Sequence, residues 1–214
     1  MSLKETLAKL NNENRTKIPE EFLKVMDQST DDLIAQQLPD QAIQVGDTFP
    51  QASLTNASGN TVDIQEKIKE GPVVISFYRG GWCPYCNIEL KALENALPKF
   101  KKEGANLLAI TPETPDNSIT TKEKNELTFE VLSDIDNKLA KELGLVFQLP
   151  EALDKIYQEF GINVEKHNAN GDNELPIPAT FVVSKEGKVV YRFLNEDYTK
   201  RADIPEILEA LKAL

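Results

Sequence analysis

Short runs of consecutive apolar residues alternate with longer amphipathic stretches along most of the chain. The runs 73–78 and 106–110 lack polar alternation, which is typical of strands covered on both faces of a sheet. Between them lies a segment whose apolar residues recur at helical spacing: Leu90, Leu93, Leu97 and Phe100. Apolar runs at 53–64 and 180–193, each interrupted by turn residues, predict two hairpins. This order predicts an α/β fold with a central mixed β-sheet flanked by helices.

The two ends of the chain and one internal stretch complete this prediction. Residues 1–43 contain two amphipathic segments and are expected to form an N-terminal helical extension that packs on the main domain, 44–214, or contributes to a dimer. The last helix is predicted to begin after Asp203, with Glu206 completing a capping box. The stretch 145–175 is irregular, and only one helix is predicted within it.

Composition and charge narrow the classes of partner. The 214 residues include 24 Lys and Arg against 35 Asp and Glu, a formal charge of −11. Nucleic acids and anionic membranes attract basic surfaces, so neither is an expected partner. The first residues build no apolar core of a signal peptide, and no run is long enough to span a membrane. We therefore expect a cytoplasmic protein.

Both cysteines of the chain, Cys83 and Cys86, lie where a predicted strand ends and a helix begins. The N-terminus of a helix carries partial positive charge and unpaired N–H groups, which favour a thiolate. Their spacing places the two sulfurs on the same side of the first turn, and Pro84 suits the first helical position. We expect Cys83 to be reachable from solvent, Cys86 to be sheltered, and Trp82 to screen the sulfur from water. The pair predicts redox chemistry.

Other interpretations of the cysteines are weaker. Isolated buried cysteines are common in cores, but a pair directly after an apolar strand is less typical of them. Structural zinc takes four ligands, and the single histidine, His167, is distant in sequence and expected in a surface loop rather than as a general base. No metal or organic cofactor is therefore expected.

Pro178 is a second candidate site residue, because it immediately precedes the apolar strand that begins at Ala179. One interpretation is a proline at the end of a strand. The interpretation we favour is a cis-proline facing the cysteines, beside backbone that could pair with an incoming peptide.

Several segments in order resemble the alkyl hydroperoxide reductase/thiol-specific antioxidant family, whose members are peroxiredoxin-like proteins. The likeness covers about residues 44–212 and rests on four segments: Val45–Asp47 with Pro50, Phe77–Cys86, Ser133–Asp136 and Pro178–Val183. The second of these resembles the active-site strand and loop of the branch that carries a CxxC. This resemblance implies a thioredoxin-like fold and thiol chemistry.

The chain departs from the family at two positions. Typical peroxiredoxins carry PxxxTxxC; if Cys86 is the attacking cysteine, Cys83 occupies the Thr position and Arg79 the Pro position. The alternative register, with Cys83 attacking, also fails to give the pattern. The later active-site Arg of the family falls at Pro178. Arg79 could replace that charge at the thiolate, or be an ordinary solvated charge.

Three hypotheses follow. The first is a thiol-dependent peroxidase that reduces hydrogen peroxide or organic hydroperoxides, in which Cys83 or Cys86 attacks, the two join in a disulfide, and thioredoxin or another dithiol reduces it. The second is a thiol-disulfide oxidoreductase acting on protein disulfides, with Cys83 as nucleophile. The third is a sensor whose disulfide state alters an interface on the N-terminal helices. A homodimer is compatible with each.

Overall fold

A seven-stranded mixed sheet forms the centre of the computed structural model, which describes residues 1–214. The strands are β1 (Ser53–Asn56), β2 (Thr61–Asp63), β3 (Val73–Phe77), β4 (Asn106–Thr111), β5 (Glu130–Ser133), β6 (Val146–Gln148), β7 (Glu174–Pro176), β8 (Ala179–Val183) and β9 (Val189–Leu194). Their order in the main sheet is β2-β1-β5-β4-β3-β8-β9, and β6 and β7 form a separate antiparallel pair. Strands β3, β4 and β5 are parallel to one another, whereas all other pairs are antiparallel.

Ten helices surround the sheet. They are α1 (Leu3–Arg15), α2 (Glu20–Ile34), α3 (Leu38–Gln41), α4 (Ile64–Glu70), α5 (Pro84–Lys102), α6 (Pro115–Lys124), α7 (Lys138–Glu142), α8 (Glu151–Glu159), α9 (Val164–Asn168) and α10 (Ile204–Lys212), with one 3₁₀ turn at Ile135–Asn137. The mixed sheet flanked by helices, and the helical N-terminal region, are as predicted. None of these helices combines the length and apolar character that a membrane span requires.

The central strand β3 explains why the cysteines lie where they do. All five of its residues are buried, because β4 and β8 pair with its two edges and one apolar cluster covers each face. Val74 contributes to the cluster beneath α5, and Ile75 contributes to the cluster on the opposite face. Because β3 is held on all sides, it fixes the position of the loop that follows it and leads to α5.

The N-terminal helices pack directly on the domain. In α1, Leu7 is buried in the same apolar cluster as both cysteines. In α2, Met26 is buried against residues of α8 in a third cluster. The boundary near residue 43 stays a prediction, but the extension contributes to the surroundings of the cysteines.

The structure defines two regions that the sequence left open or mispredicted. The irregular stretch between 145 and 175 contains β6, α8, α9 and β7, so most of it is ordered secondary structure.

The predicted capping box of α10 is wrong. Asp203 occupies the N-cap position without a side-chain hydrogen bond to the helix. The carboxylate of Glu206 instead accepts a hydrogen bond of 2.9 Å from the hydroxyl of Tyr191 on β9. This bond replaces the predicted one to the backbone of Asp203.

Candidate active site

The redox loop, defined here as residues 80–83, connects β3 to α5. Cys83 is the N-cap of α5 and Pro84 occupies its first turn, which confirms the predicted position of the proline. Gly81 packs so closely on α6 that a Cβ atom there would lie 1.9 Å from Thr121 Oγ1. Only glycine fits at that point, so the close contact with α6 fixes the path of the loop.

Both sulfurs are buried, which contradicts the expectation that Cys83 is reachable from solvent. Cys83 and Cys86 are each 0% exposed and are not joined in a disulfide. They share their apolar cluster with Leu7 of α1 and with Tyr85, whose hydroxyl donates a 3.1 Å hydrogen bond to Asn11 Oδ1. The N-terminal extension thus contacts Tyr85, the residue beside Cys86, and a short motif could not reveal this.

Arg79 lies against Cys83. Its Nη2 donates to the Cys83 sulfur over 3.5 Å, and its Nη1 donates to the Tyr157 hydroxyl over 2.8 Å. Only 4% of the residue is exposed, so the alternative of an ordinary solvated charge is wrong. The guanidinium carbon lies 4.5 Å from the ring centroid of Tyr198 and 5.0 Å from that of Trp82. Trp82 is half-buried and contacts the guanidinium; that it screens the sulfur from water stays a prediction.

A second buried arginine contacts the other sulfur. Arg201 Nη2 donates to the Cys86 sulfur over 3.1 Å, and Arg201 Nε forms an ion pair with Glu89. Arg201 Nη1 donates to the backbone carbonyls of Tyr198 and Lys200, each at 2.6 Å. Glu89 also lies within 3.4 Å of the Ser76 hydroxyl, which donates to it. The charge of Arg201 is thus compensated by a carboxylate, whereas Arg79 has no carboxylate partner.

The two sulfurs differ in their acidity. Burial alone would raise the pKa of the Cys83 thiol, but a hydrogen bond from Cys86 and the charges of Arg79 and Arg201 outweigh burial and place this pKa well below its usual value. Burial, together with donation of a hydrogen bond to Cys83, raises the pKa of Cys86 well above its usual value. The surroundings therefore favour a thiolate at Cys83 and a protonated thiol at Cys86.

Pro178 does not adopt the predicted cis conformation, because no peptide bond in the chain is cis. Two backbone groups beside it already have partners within the chain. The Ile177 N–H donates to the Leu145 carbonyl over 2.9 Å, and the Pro178 carbonyl accepts from the Asn195 N–H over 3.3 Å. Pro178 instead lines a small cavity with Arg79. Strand β8 is paired on both edges, which leaves no edge for an incoming chain.

His167 lies in α9 rather than in a surface loop, and it makes no hydrogen bond to either sulfur. Its Nδ1 lies 2.9 Å from Glu113 Oε1, at ion-pair distance but without linear hydrogen-bond geometry. No group of three or more His, Cys, Asp or Glu side chains is arranged to hold a metal ion.

Sequence reasoning missed four side chains of this site. They are Glu89, Tyr157, Tyr198 and Arg201. Glu89 could have been found, since it follows Cys86 by three residues and faces the same side of α5. The other three lie in segments without a recognisable motif, and only the fold brings them to the cysteines.

The fold and the site together define a thiol-based oxidoreductase with a thioredoxin-like fold. Residues 45–192 match the model of the AhpC/TSA family, and the chain belongs to that family. This confirms the resemblance seen in the sequence.

Individual relatives agree with this assignment. The chain is 30% identical to a chloroplastic peroxiredoxin Q of Populus jackii over 172 residues, 80% of this chain and 70% of the relative. It is 28% identical over 171 residues to the thiol-disulfide oxidoreductase ResA of Geobacillus kaustophilus, 80% of each protein.

Solved structures show the same fold. The peroxidoxin BcpB of Mycobacterium tuberculosis superposes with a TM-score of 0.64 at 19% identity, covering 80% of this chain and 98% of that one. A peroxiredoxin Q of Xanthomonas campestris gives 0.60 at 23% identity, with coverage of 80% and 97%.

Proposed function

We propose that the protein is a thiol-dependent peroxidase in which Cys83 attacks the hydroperoxide and Cys86 resolves the product. The observation that carries this proposal is the pairing of the Cys83 sulfur with the buried, otherwise uncompensated guanidinium of Arg79. Peroxide reduction needs a thiolate, and this contact stabilises a thiolate at Cys83. Membership in the AhpC/TSA family and the likeness to peroxiredoxin Q support the same reaction class.

In the first step, the Cys83 thiolate attacks the terminal oxygen of the hydroperoxide. The O–O bond breaks, an S–O bond forms, and the alkoxide or hydroxide leaves and takes up a proton. Cys83 is oxidised to a sulfenic acid, and the peroxide is reduced to an alcohol or water. Arg79 can stabilise both the thiolate and the negative charge that develops on the leaving oxygen.

In the second step, the Cys86 sulfur attacks the Cys83 sulfenic sulfur, and the hydroxyl leaves as water with the proton of the Cys86 thiol. The product is a Cys83–Cys86 disulfide, compatible with two cysteines in the first turn of α5. Thioredoxin or another dithiol would then reduce this disulfide by two exchange steps and be oxidised to its own disulfide.

The cavity beside Arg79 favours small hydroperoxides as substrates. It has a volume of about 50 Å³ and is lined by Tyr157, Pro178, Tyr198 and Arg79 together with residues of α2. Arg79 lines this space and Cys83 does not, so a peroxide bound there contacts the guanidinium first. A space of this size holds hydrogen peroxide more readily than a long-chain hydroperoxide.

The experiment is a coupled assay with thioredoxin, thioredoxin reductase and NADPH. Peroxide-dependent oxidation of NADPH that is lost in Cys83→Ser supports the proposal. Arg15→Gln serves as a control, because Arg15 pairs with Asp27 on the exposed N-terminal helices. Indifference to hydrogen peroxide and to small organic hydroperoxides, with any dithiol, would overturn it.

Thiol-disulfide exchange on protein substrates is the second candidate function. The 28% identity to ResA and the lowered pKa of the Cys83 thiol favour it. Two facts argue against it: both sulfurs are buried, and the Ile177 N–H and the Pro178 carbonyl already have hydrogen-bond partners within the chain. Reduction of insulin by the dithiol form, without any response to peroxide, would favour this function over the peroxidase.

The physiological setting also belongs to the proposal. We place the protein in the cytoplasm, recycled by a soluble dithiol, and as a homodimer. Fractionation of the source cells tests the location. A pull-down with Cys86→Ser tests the reductant, and light scattering tests the homodimer.

A further inference from the structure

Glu113 is a buried carboxylate that the proposed peroxide reaction does not use. It follows β4 and is 1% exposed, yet it does not belong to the Arg201–Glu89 ion pair. Its Oε2 accepts a hydrogen bond of 2.8 Å from the backbone N–H of Gly81. We propose that Glu113, through its hydrogen bond with the Gly81 N–H, is a positioning residue that holds the redox loop in the conformation that places Cys83 against Arg79.

The backbone of Gly81 is held from both sides. Its N–H donates to Glu113, and its carbonyl accepts from Asn87 Nδ2 over 2.8 Å. The same amide donates to the Cys83 carbonyl over 2.9 Å, and Asn125 Nδ2 donates to Asn87 Oδ1 over 2.7 Å. The carbonyl side is thus fixed by two amides, whereas the N–H side depends on one carboxylate. Because a hydrogen bond to a charged group is stronger than a neutral one, loss of Glu113 removes the main restraint on that side.

His167 lies beside Glu113, at ion-pair distance but without hydrogen-bond geometry. Its Nδ1 lies 2.9 Å from Glu113 Oε1, the oxygen that Gly81 does not use. His167 is itself held through its backbone carbonyl, which accepts from the Thr114 N–H at 3.2 Å and from Asn117 Nδ2 at 2.9 Å. Both of these donors flank the start of α6. The connection therefore runs from α9 through the carboxylate to the redox loop.

This geometry has a consequence for Cys83 that distinguishes positioning from a direct charge effect. Removing a nearby negative charge would by itself lower the pKa of a thiol. Releasing the loop would instead let Cys83 move away from Arg79 and from the N-terminus of α5, which raises the pKa of the thiol. The two roles therefore predict opposite signs for the same measurement.

The test compares Glu113→Ala with Glu113→Gln in the reduced full-length protein. The pKa of Cys83 is read from the absorbance of the thiolate at 240 nm across a pH titration, in a Cys86→Ser background. We expect Glu113→Ala to raise this pKa by about one unit, a tenfold change in the ionisation equilibrium. Glu113→Gln keeps an amide oxygen for the Gly81 N–H and should stay close to the parent protein.

A matched control is Glu94→Ala. Glu94 also accepts a backbone N–H, that of Thr128 at 2.8 Å, but it lies away from the redox loop. This variant should leave the pKa of Cys83 unchanged. If Glu113→Ala does not fold, His167→Ala provides the second test, because His167 is partly exposed and its loss frees the carboxylate to turn away from Gly81. We expect a smaller rise in the same direction.

Hydrogen exchange gives an independent measurement. The Gly81 amide should exchange at least about tenfold faster in Glu113→Ala than in Glu94→Ala. A lowered or unchanged pKa of Cys83 in folded Glu113→Ala, or an unchanged exchange rate at Gly81, would overturn the positioning role. The positioning role depends on the proposed function in one respect: it takes Cys83 as the reacting thiol. Neither measurement requires peroxide turnover, so failure of the positioning role is distinguishable from failure of the peroxidase.

Discussion

Arg79 Nη2 donates a hydrogen bond of 3.5 Å to the Cys83 sulfur, and this sulfur is the only partner of Arg79 that can carry a negative charge near neutral pH. The side chain is otherwise held by the Tyr157 hydroxyl and by aromatic rings. The buried guanidinium and the thiolate therefore stabilise each other, and each should change when the other is removed.

Substitution of Arg79 tests this relationship directly. We expect Arg79→Gln to raise the pKa of Cys83 by at least about one unit, because the nearest positive charge is lost while burial persists. Thiolate absorbance at 240 nm in a Cys86→Ser background measures the change. Arg15→Gln, on the exposed N-terminal helices, should leave the pKa unaltered. Equal titration curves for all three proteins would show that Arg79 does not stabilise the thiolate.

The pH dependence of alkylation gives the second prediction. The folded-state pKa of Cys83 is lowered, so the thiolate should persist well below the pKa of about 8.5 of a free cysteine. The rate of reaction with iodoacetamide should therefore change little between mildly alkaline and neutral pH and fall only in acid. By linkage, the thiolate contributes stability above the unfolded-state pKa, and this contribution is lost as pH falls through the folded-state pKa. A rate that rises tenfold per pH unit through neutrality would contradict this prediction.

Oxidation should destabilise the protein. Formation of the Cys83–Cys86 disulfide removes the thiolate and leaves Arg79 buried without a negative partner, which costs several kcal/mol. The disulfide closes only a short loop, so its entropic stabilisation is small. We expect a lower midpoint of urea denaturation for the oxidised than for the reduced protein. The difference between the two midpoints should be smaller in Arg79→Met. An oxidised form at least as stable as the reduced one would refute this charge argument.

The buried ion pair between Arg201 and Glu89 lies beside Cys86 and stabilises that side of the site. Both side chains are buried, so Arg201→Met should leave an uncompensated carboxylate and cost about 3–5 kcal/mol in the free energy of unfolding. Burial already raises the pKa of Glu89, and loss of Arg201 should raise it further. The double variant Arg201→Met/Glu89→Gln should recover part of this loss. Chemical denaturation of the single and double variants measures the coupling, and strictly additive effects would argue against a paired role.

The position of the CxxC could be read from sequence because it depends on local features. An apolar strand ends at Phe77, Cys83 lacks helical conformation as an N-cap, and Pro84 tolerates the first turn. These features are fixed within a few residues, and they gave the strand, the helix start and the relative placement of the two sulfurs.

The rest of the site depends on contacts between distant segments. Arg201 lies 115 positions from Cys86, and Tyr157 lies 78 positions from Arg79. No local pattern specifies such pairs, since they arise when α8 and the segment before α10 dock on the start of α5. The apolar cluster that contains Cys83 has the same origin, because it also includes Leu7 of α1. The error at Pro178 differs: a proline before a strand is compatible with both isomers, and sequence does not decide between them.

The identity of the attacking sulfur is the central claim, and trapping of the sulfenic acid tests it most directly. Reduced Cys86→Ser and Cys83→Ser are each treated with one equivalent of hydrogen peroxide in the presence of dimedone, and the adduct is located by mass spectrometry. The account predicts rapid labelling of Cys83 in Cys86→Ser and little labelling of Cys86 in Cys83→Ser, because the pKa of the Cys86 thiol is raised. Labelling confined to Cys86 would contradict it.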